Sequence, residues 1–225
     1  VNIPDFTVKI VDNNEVTFQT RSVVGANEED RPTVEFSDLM EYMVINPSWY
    51  VPRSIATMEF LPALQIDSGS IPHIEVINKE GLLVDSANVN FSLFNAEDFP
   101  FTMRQPPSKG NALGLVKFIF PNPYNIYLHD TPLKSKFKVK QRAVSHGCVR
   151  LAEPFEMARF LLEDNRKVNY DDFRIKMGME PLDSIRLLEY DPLDTLAKIQ
   201  PIDSTEVIYL HKPIPVYFVY LPPLL

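Results

Sequence analysis

Apolar and polar residues alternate in several short stretches of the chain, the pattern of a β-strand with one buried face. The clearest stretches are residues 7–11 and 16–20, which are rich in β-branched side chains and are separated by Asp12-Asn13-Asn14. Because aspartate and asparagine favour tight turns, the pattern predicts a hairpin over residues 6–24.

Other short apolar stretches, mostly bounded by prolines, predict further strands. They are residues 42–45, 116–120, 126–128, 206–210 and 215–220, with Lys212-Pro213 between the last two. Because these strands come from both ends of the sequence, we expect one sheet that is completed late in folding, with the ends of the chain near each other.

Residues 47–105 interrupt the strand pattern. They are rich in proline and aromatic residues, and only a short helix over residues 55–64 is predicted within them. Long irregular insertions in compact domains are often functional, and some of them cover a substrate. The sequence therefore leaves two interpretations, a lid or an elaborated loop that only packs.

A helical segment is predicted over residues 154–200. Pro154 suits the first turn of a helix. The one-sided stripe of a helix packed on a core follows in Phe155, Ala158, Leu161 and Leu162. One or two more short helices are expected within residues 170–200, one of them over residues 181–188. The fold class is therefore mainly β with helices, that is, α+β.

Composition and charge exclude several classes of protein. Hydrophobic residues make up 45% of the 225, which is ordinary for a globular protein of one large domain with an insertion. There are 20 prolines and 7 glycines, which indicates stiff, ordered loops rather than flexible linkers. The net charge of −8 argues against binding to nucleic acid or to an anionic membrane surface. No apolar run is long enough for a transmembrane segment.

Candidate chemistry is concentrated around Cys148, the only cysteine of the chain. It lies in Ser145-His146-Gly147-Cys148-Val149-Arg150, and another histidine precedes this motif in Tyr127-Leu128-His129-Asp130-Thr131. A thiol attacks as its thiolate, so a catalytic cysteine needs a nearby base or positive charge, and histidine is the usual base. Gly147 allows a sharp turn that directs N–H groups toward a developing oxyanion, and Arg150 offers a planar cation suited to a carboxylate.

Other interpretations of these residues remain open. An isolated cysteine usually packs as a small apolar residue, although polar neighbours on both sides of Cys148 disfavour that role. His129, His146 and Cys148 are all competent zinc ligands, but the chain has no CxxC or HExxH pair. Five basic residues, Lys134, Lys136, Lys138, Lys140 and Arg142, alternate between the two motifs. They form either a solvated loop face or a positive potential that attracts a carboxylate-bearing substrate.

The run from His129 to Arg150 resembles the signature of the YkuD-type L,D-transpeptidases. In that family a histidine and a gap of mid-teens length precede Ser/Thr-His-Gly-Cys and then Arg or Asn. Further similar segments are Val1-Asn2-Ile3-Pro4, Met40-Glu41-Tyr42, Asn46-Pro47-Ser48-Trp49, Val51-Pro52-Arg53-Ser54-Ile55-Ala56, Arg104-Gln105, Gly110-Asn111-Ala112-Leu113-Gly114 and Val116-Lys117-Phe118. They cover most of residues 1–162 and resemble the larger, lid-bearing YcbB-like branch. The resemblance implies a β-sandwich-like catalytic domain with a lid over about residues 47–105.

The resemblance also implies a role for each residue of the motif. Cys148 is the expected nucleophile and His129 the proton donor and acceptor, with no metal or other cofactor. Gly147 is expected to form the turn and part of the oxyanion hole, and His146 to shape the pocket. Asp130 is expected to orient His129 through either its backbone carbonyl or its side chain. The expected substrate-binding residues are Arg150, Ser145, Asn111, Trp49 and Tyr127.

The implied function is the cross-linking of peptidoglycan stem peptides in the periplasm or bacterial cell envelope, with carbapenem β-lactams as expected inhibitors. The chain begins without a basic or apolar leader, so we expect a mature segment of a longer exported protein. A 3→3 link would form when a second stem accepts the acyl group from Cys148. Water as acceptor would make the site a carboxypeptidase, and a lipoprotein lysine would make it an anchoring enzyme. The sequence leaves this choice open, together with two other classes, a zinc-dependent peptidase and a non-catalytic cell-wall-binding module.

Overall fold

The strands and helices are divided between two units of structure. The structure, a computed structural model, describes residues 1–26, 31–163, 165, 167–189 and 204–222. The first unit combines Val1–Pro47 with Ser108–Leu225, and the second unit is Ser48–Pro107.

The described residues are mostly β with a few helices, as the sequence predicts. In chain order the strands are β1 (Thr7–Asp12), β2 (Glu15–Gly25), β3 (Phe36–Ile45), β4 (Trp49–Tyr50), β5 (Glu75–Ile77), β6 (Leu83–Val84), β7 (Thr102–Gln105), β8 (Val116–Ile119), β9 (Leu128–His129), β10 (Ala143–Ser145), β11 (Val149–Leu151) and β12 (Glu206–Phe218). The α-helices are α1 (Arg53–Ile55), α2 (Leu61–Ile66), α3 (Pro154–Leu162), α4 (Tyr170–Lys176) and α5 (Ser184–Glu189). A π-helical turn spans Ala56–Phe60, and short 3₁₀ turns lie at Ser86–Asn88, Phe91–Leu93 and Lys134–Lys138.

The first unit is built on an eight-stranded sheet. The strand order is β1-β2-β11-β9-β8-β3-β12, and β10 pairs with β2. Most neighbours are antiparallel, whereas β11 runs parallel to β9 and β10 runs parallel to β2. The two-residue strand β9 therefore lies at the centre of the sheet, where pairing on both sides makes it a rigid platform for side chains.

The predicted hairpin is confirmed as β1 and β2. Asp12 pairs with Glu15 across the turn, and Asn13 and Asn14 adopt φ values of 48° and 65°. Two successive left-handed residues form the turn that matches the right-handed twist of a hairpin, and asparagine tolerates that conformation better than most residues.

The ends of the sequence lie together, as expected. Asn2 bridges to Thr7 at the start of β1 and to Val219 just after β12. The Ile3 N–H donates to the Val219 carbonyl at 2.9 Å. The first residues of the chain therefore link the two edge strands of the sheet.

The last strand corrects one prediction. A single strand, β12, replaces the two strands expected over residues 206–210 and 215–220. Its pairing with β3 changes register between Tyr209 and Ile214, which brackets Lys212-Pro213. Proline has no N–H to donate, and an edge strand with an irregularity accommodates it. Lys212-Pro213 therefore marks a break in register rather than a turn.

The core of the first unit packs the sheet against helix α3. The most buried strand residues include Phe118, Leu128, Val149 and Leu151, each at most 1% exposed. From α3, Met157, Ala158, Leu161 and Leu162 join the same cluster, and Phe155 packs against it. The predicted apolar stripe is confirmed.

The second unit corrects the prediction that residues 47–105 are irregular. It has its own four-stranded sheet, in the order β4-β7-β5-β6, and its own apolar core. These strands are two to four residues long, too short to leave a visible period in the sequence. The predicted helix is present as one helical run through α1, the π-helical turn and α2. Arg53 fixes its start by donating to the carbonyls of Ala96, Glu97 and Phe99.

Within the described part of residues 170–200, two helices follow α3, as expected. The helix predicted over residues 181–188 is α5, which begins at Ser184, and the prediction over residues 190–200 lies outside the described residues. The predicted strand over residues 126–128 is β9, displaced by one or two residues. Strands β10 and β11 were not predicted, because the polar motif around Cys148 interrupts their apolar residues.

Phe118→Ala should lower the free energy of unfolding by about 3–5 kcal/mol, since the ring is fully buried between β9 and β3 and its loss leaves a cavity. Urea denaturation followed by circular dichroism measures this change. Val16→Ala, at a side chain that is 53% exposed, is the control and should change stability by no more than about 0.5 kcal/mol. A loss below 1 kcal/mol for Phe118→Ala (about the mean for any substitution) would contradict its place in the core.

Candidate active site

The register between β9 and β11 brings the two sequence motifs together. Leu128 pairs with Val149, and His129 pairs with Arg150. Side chains alternate between the faces of a sheet, so Leu128 and Val149 enter the core while His129 and Arg150 lie on the opposite face. Cys148 directly precedes β11 and therefore falls on the face that carries Arg150. The thiol, the imidazole and the guanidinium share one side of the sheet.

The backbone of Asp130 orients the imidazole. Nδ1 of His129 is hydrogen-bonded to the Asp130 carbonyl, which fixes the neutral ring with its proton on Nδ1 and leaves Nε2 as an acceptor. The Asp130 carboxylate does not bond to the His129 ring and contacts other groups instead. Its Oδ2 accepts the Leu115 N–H at 3.0 Å, and its Oδ1 forms a 2.6 Å ion pair with Lys134. Of the two orienting groups predicted for Asp130, the structure selects the backbone carbonyl.

His129 is held as a neutral imidazole. Burial, together with the nearby charge of Arg150, lowers the pKa of His129 to about 3. Backbone hydrogen bonds to Asp130 and Leu113 act in the opposite direction but do not restore the ordinary pKa. At neutral pH the ring is therefore a proton acceptor and carries no charge.

Cys148 lies at the end of a turn, residues 145–148, that is held by hydrogen bonds. Gly147 adopts a φ of 109°, which side chains disfavour. Ser145 Oγ donates to the Cys148 carbonyl at 2.6 Å and accepts the Gly147 N–H at 3.3 Å. Thr33 Oγ1 donates to the Gly147 carbonyl at 2.7 Å. These bonds fix the turn from both sides.

The bracing bears on two of the expected roles. Ser145 is buried and its hydroxyl bonds within the turn, so it supports the backbone at Cys148, and its predicted contact with a substrate stays a prediction. The Gly147 N–H already has an acceptor, which leaves the Cys148 N–H as the donor available to an oxyanion. No hydrogen bond from that N–H reaches another group in the part of the chain that the structure describes.

The thiol is protonated in the resting site. Burial raises the pKa of Cys148 to about 11, although hydrogen bonds from Tyr127 and the charges of Arg150 and Lys117 act in the opposite direction. The Sγ lies 3.6 Å from the Asn125 carbonyl, to which the thiol donates. In the resting site desolvation therefore outweighs the nearby positive charges, which on their own would favour the thiolate.

Tyr127 and Lys117 complete this face. The Tyr127 ring lies edge-on to the His129 ring, with centroids 5.7 Å apart, and Lys117 Nζ lies 5.5 Å from the Tyr127 centroid. Lys117 of β8 pairs with His129 in register. The sequence analysis assigned Lys117 no role, although a lysine between the apolar residues Val116 and Phe118 already marks a charge on the open face of a central strand.

The loop over residues 111–115 contacts both His129 and Asp130. Asn111 is fully buried, and its Oδ1 accepts the Leu113 N–H at 2.8 Å. A Cβ on Gly114 would lie 2.2 Å from Asp130 Oδ2, so only glycine fits there. Asn111 therefore has a structural role in this loop, and its predicted contact with a substrate stays a prediction.

The family model of the YkuD L,D-transpeptidase catalytic domain matches residues 1–170. The chain belongs to this family. A curated protein of Haemophilus influenzae, which bears a provisional name as an L,D-transpeptidase, is 32% identical over 166 residues. The match covers 73% of this chain and 33% of the relative, so the chain spans about a third of the length of the relative that it matches.

Three other residues that the sequence singled out in this YkuD domain have the following surroundings. Trp49 belongs to the second unit and packs edge-on against Phe60. His146 is exposed on the turn. Arg142 donates to the carbonyls of Phe6, Ser22 and Val139, so it joins loops rather than serving as a free charge.

The zinc alternative lacks a ligand set. Across the described residues, no group of three or more His, Cys, Asp and Glu side chains is arranged to hold a metal ion. His129, His146 and Cys148 are therefore not arranged as the ligand set that the zinc alternative requires. A separate finding concerns membranes, since no helix in the described ranges is both long and apolar enough to cross a bilayer.

The alkylation of Cys148 in the YkuD domain should be slow at neutral pH and should rise about tenfold per pH unit from pH 7 to 10, because only the thiolate reacts and its pKa is raised. Iodoacetamide labelling followed by intact mass spectrometry measures the rate. In urea, where burial is lost, the midpoint should return to about 8.5. A native rate that is already constant above pH 7 would contradict the protonated resting thiol.

Proposed function

We propose that this chain is a peptidoglycan L,D-transpeptidase that works through an acyl-enzyme on Cys148. The proposal rests on membership of the YkuD family and on the register that puts Cys148 and His129 on one face of the sheet. The substrates are two stem peptides, one as acyl donor and one as amine acceptor. The site of action is the bacterial cell envelope, on its periplasmic side.

The first half-reaction transfers the donor to the enzyme. The Cys148 sulfur attacks the carbonyl carbon of the third stem residue while His129 Nε2 takes the thiol proton. The negative charge that develops on the carbonyl oxygen is stabilised by the Cys148 N–H. When the tetrahedral intermediate collapses, the C–N bond breaks and His129 returns its proton to the nitrogen of the departing D-alanine. A thioester remains on Cys148.

The second half-reaction releases the acyl group. The side-chain amine of the acceptor attacks the thioester, His129 accepts a proton from that amine, and the C–S bond breaks. The thiol is re-formed when the proton returns to sulfur. The product is a 3→3 cross-link between two third-position residues. Water in place of the amine would give the carboxypeptidase reaction at the same atoms.

The protonation states of Cys148 and His129 before substrate binds are compatible with these two half-reactions. A neutral thiol and a neutral imidazole on one face of the sheet require proton transfer and attack to take place together, once the substrate has displaced water. Arg150 is the carboxylate-binding residue of the proposal, because its Nε is buried without a partner among the described residues. The second unit, with its own core, serves as a substrate cap.

Incubation with a carbapenem is the test that separates the proposed function from the alternatives. The β-lactam carbonyl should acylate Cys148, which intact mass and peptide mapping would detect as a single adduct. Cys148→Ala should form no adduct and no cross-linked stem dimer, with a nearly unchanged melting temperature. A zinc peptidase would instead lose activity with a chelator, and a wall-binding module would bind peptidoglycan equally well after Cys148→Ala.

His129→Ala should slow single-turnover acylation by about 10²–10⁴-fold, because the base that takes the thiol proton is lost. His146→Ala is the matched control, and since His146 is exposed on the turn its effect should be within about tenfold. Rapid-quench mass spectrometry with the carbapenem gives both rates. A larger loss for His146→Ala would exchange the two roles.

A further inference from the structure

A second cation flanks the reactive histidine. Lys117 of β8 and Arg150 of β11 both pair in register with His129 of β9. The three side chains form a row across the sheet, with the imidazole between an ammonium and a guanidinium. The proposed mechanism uses Arg150 and His129 but gives Lys117 no task.

Lys117 differs from two other lysines of the first unit, the exposed Lys134 and the partly buried Lys176, which have carboxylate partners. Lys134 pairs with Asp130 at 2.6 Å, and Lys176 pairs with Glu206 at 2.5 Å. For Lys117, no carboxylate partner lies within the described part of the chain, and its Nζ is placed over the Tyr127 ring. Cys148 would attract this charge only after its thiol ionises. Burial lowers the pKa of Lys117, because the ammonium loses hydration in its partly buried position.

The proposed donor supplies the missing anion. The residue released from the donor carries a free α-carboxylate, and three bonds separate its carbon from the carbonyl carbon that the thiol attacks. A carboxylate must therefore enter the site whenever the donor carbonyl reaches Cys148. Arg150 approaches from one side of His129 and Lys117 from the other, so the pair can hold that group between them.

We propose that Lys117 is a specificity-determining residue that, with Arg150, binds the carboxylate of the donor's leaving residue beside Cys148. The inference rests on the proposed function for the identity of the donor. The existence of a carboxylate subsite near the thiol does not depend on it. The Tyr127 ring supports the ammonium in the resting site, since a cation over an aromatic face is stabilised while it lacks an anion.

The test compares two alkylating agents of similar size, the anionic iodoacetate and the neutral iodoacetamide, on Cys148 of the whole chain. We measure both second-order rate constants at one pH for the wild type, Lys117→Met, Lys117→Arg and Lys136→Met. Lys136 is exposed, so its replacement makes the same change in net charge away from the β8–β9–β11 row. Melting curves check that each variant folds, and Lys117→Gln replaces the methionine variant if that one does not.

The ratio of the iodoacetate rate to the iodoacetamide rate should fall about tenfold in Lys117→Met, the effect of removing one partly screened charge near the reagent's carboxylate. It should stay within about threefold of wild type in Lys117→Arg and Lys136→Met. An unchanged ratio in Lys117→Met would overturn the proposal. An equal loss of both rates would also overturn it, because Lys117 would then act on the thiol alone.

A second comparison uses stem tetrapeptide donors that end in a carboxylate or in a carboxamide. The wild type should prefer the carboxylate donor, and Lys117→Met should lose most of that preference through its KM. A preference that survives in Lys117→Met would overturn the role of Lys117 and leave the carboxylate to Arg150. If no donor of either kind is turned over while the alkylation ratio still falls, the carboxylate subsite stands and the proposed transpeptidase function fails.

Discussion

The parallel pairing of β9 with β11 is the constraint on which the site depends. The two strands are two and three residues long, and one step of register decides whether His129 and Arg150 face the core or the open side. The burial of Leu128, Val149 and Leu151 selects this register, because a slip would expose three apolar side chains and bury a guanidinium. The chemistry of the open face is therefore specified by the hydrophobic residues on the other face.

Desolvation governs the electrostatics of this face. Two cations lie near Cys148, yet the thiol is protonated and the imidazole neutral, since burial penalises every charge that the site would otherwise favour. The charges of Lys117 and Arg150 change the resting pKa values of Cys148 and His129 less than burial does. These charges therefore act mainly on charged groups of a bound substrate. A protein that keeps its reactive groups neutral in this way depends on the substrate to complete the charge balance.

Much of the fold could be predicted from the sequence, and the physical reason is the length of the elements. The hairpin, β3 and α3 are long enough to leave a period, whereas β4, β5 and β6 hold two or three residues and leave none. The motif predicted which residues meet at the site. It could not predict that Ser145 and Asn111 bond within their own loops, since a polar side chain's partner depends on tertiary packing. Lys117 was overlooked because its importance comes from its neighbours across the sheet, which are distant in sequence.

The protonated state of Cys148 has a consequence for the lifetime of the protein. Peroxides and disulfides react with thiolates, so a thiol that is held in its protonated form is oxidised slowly even where it is partly exposed. As the only cysteine of the chain, Cys148 has no neighbouring thiol that could reduce it again after such damage. The raised pKa of Cys148 therefore slows two kinds of reaction. It slows the attack of the thiol on electrophiles, and it also slows the oxidation of the thiol while no substrate is bound.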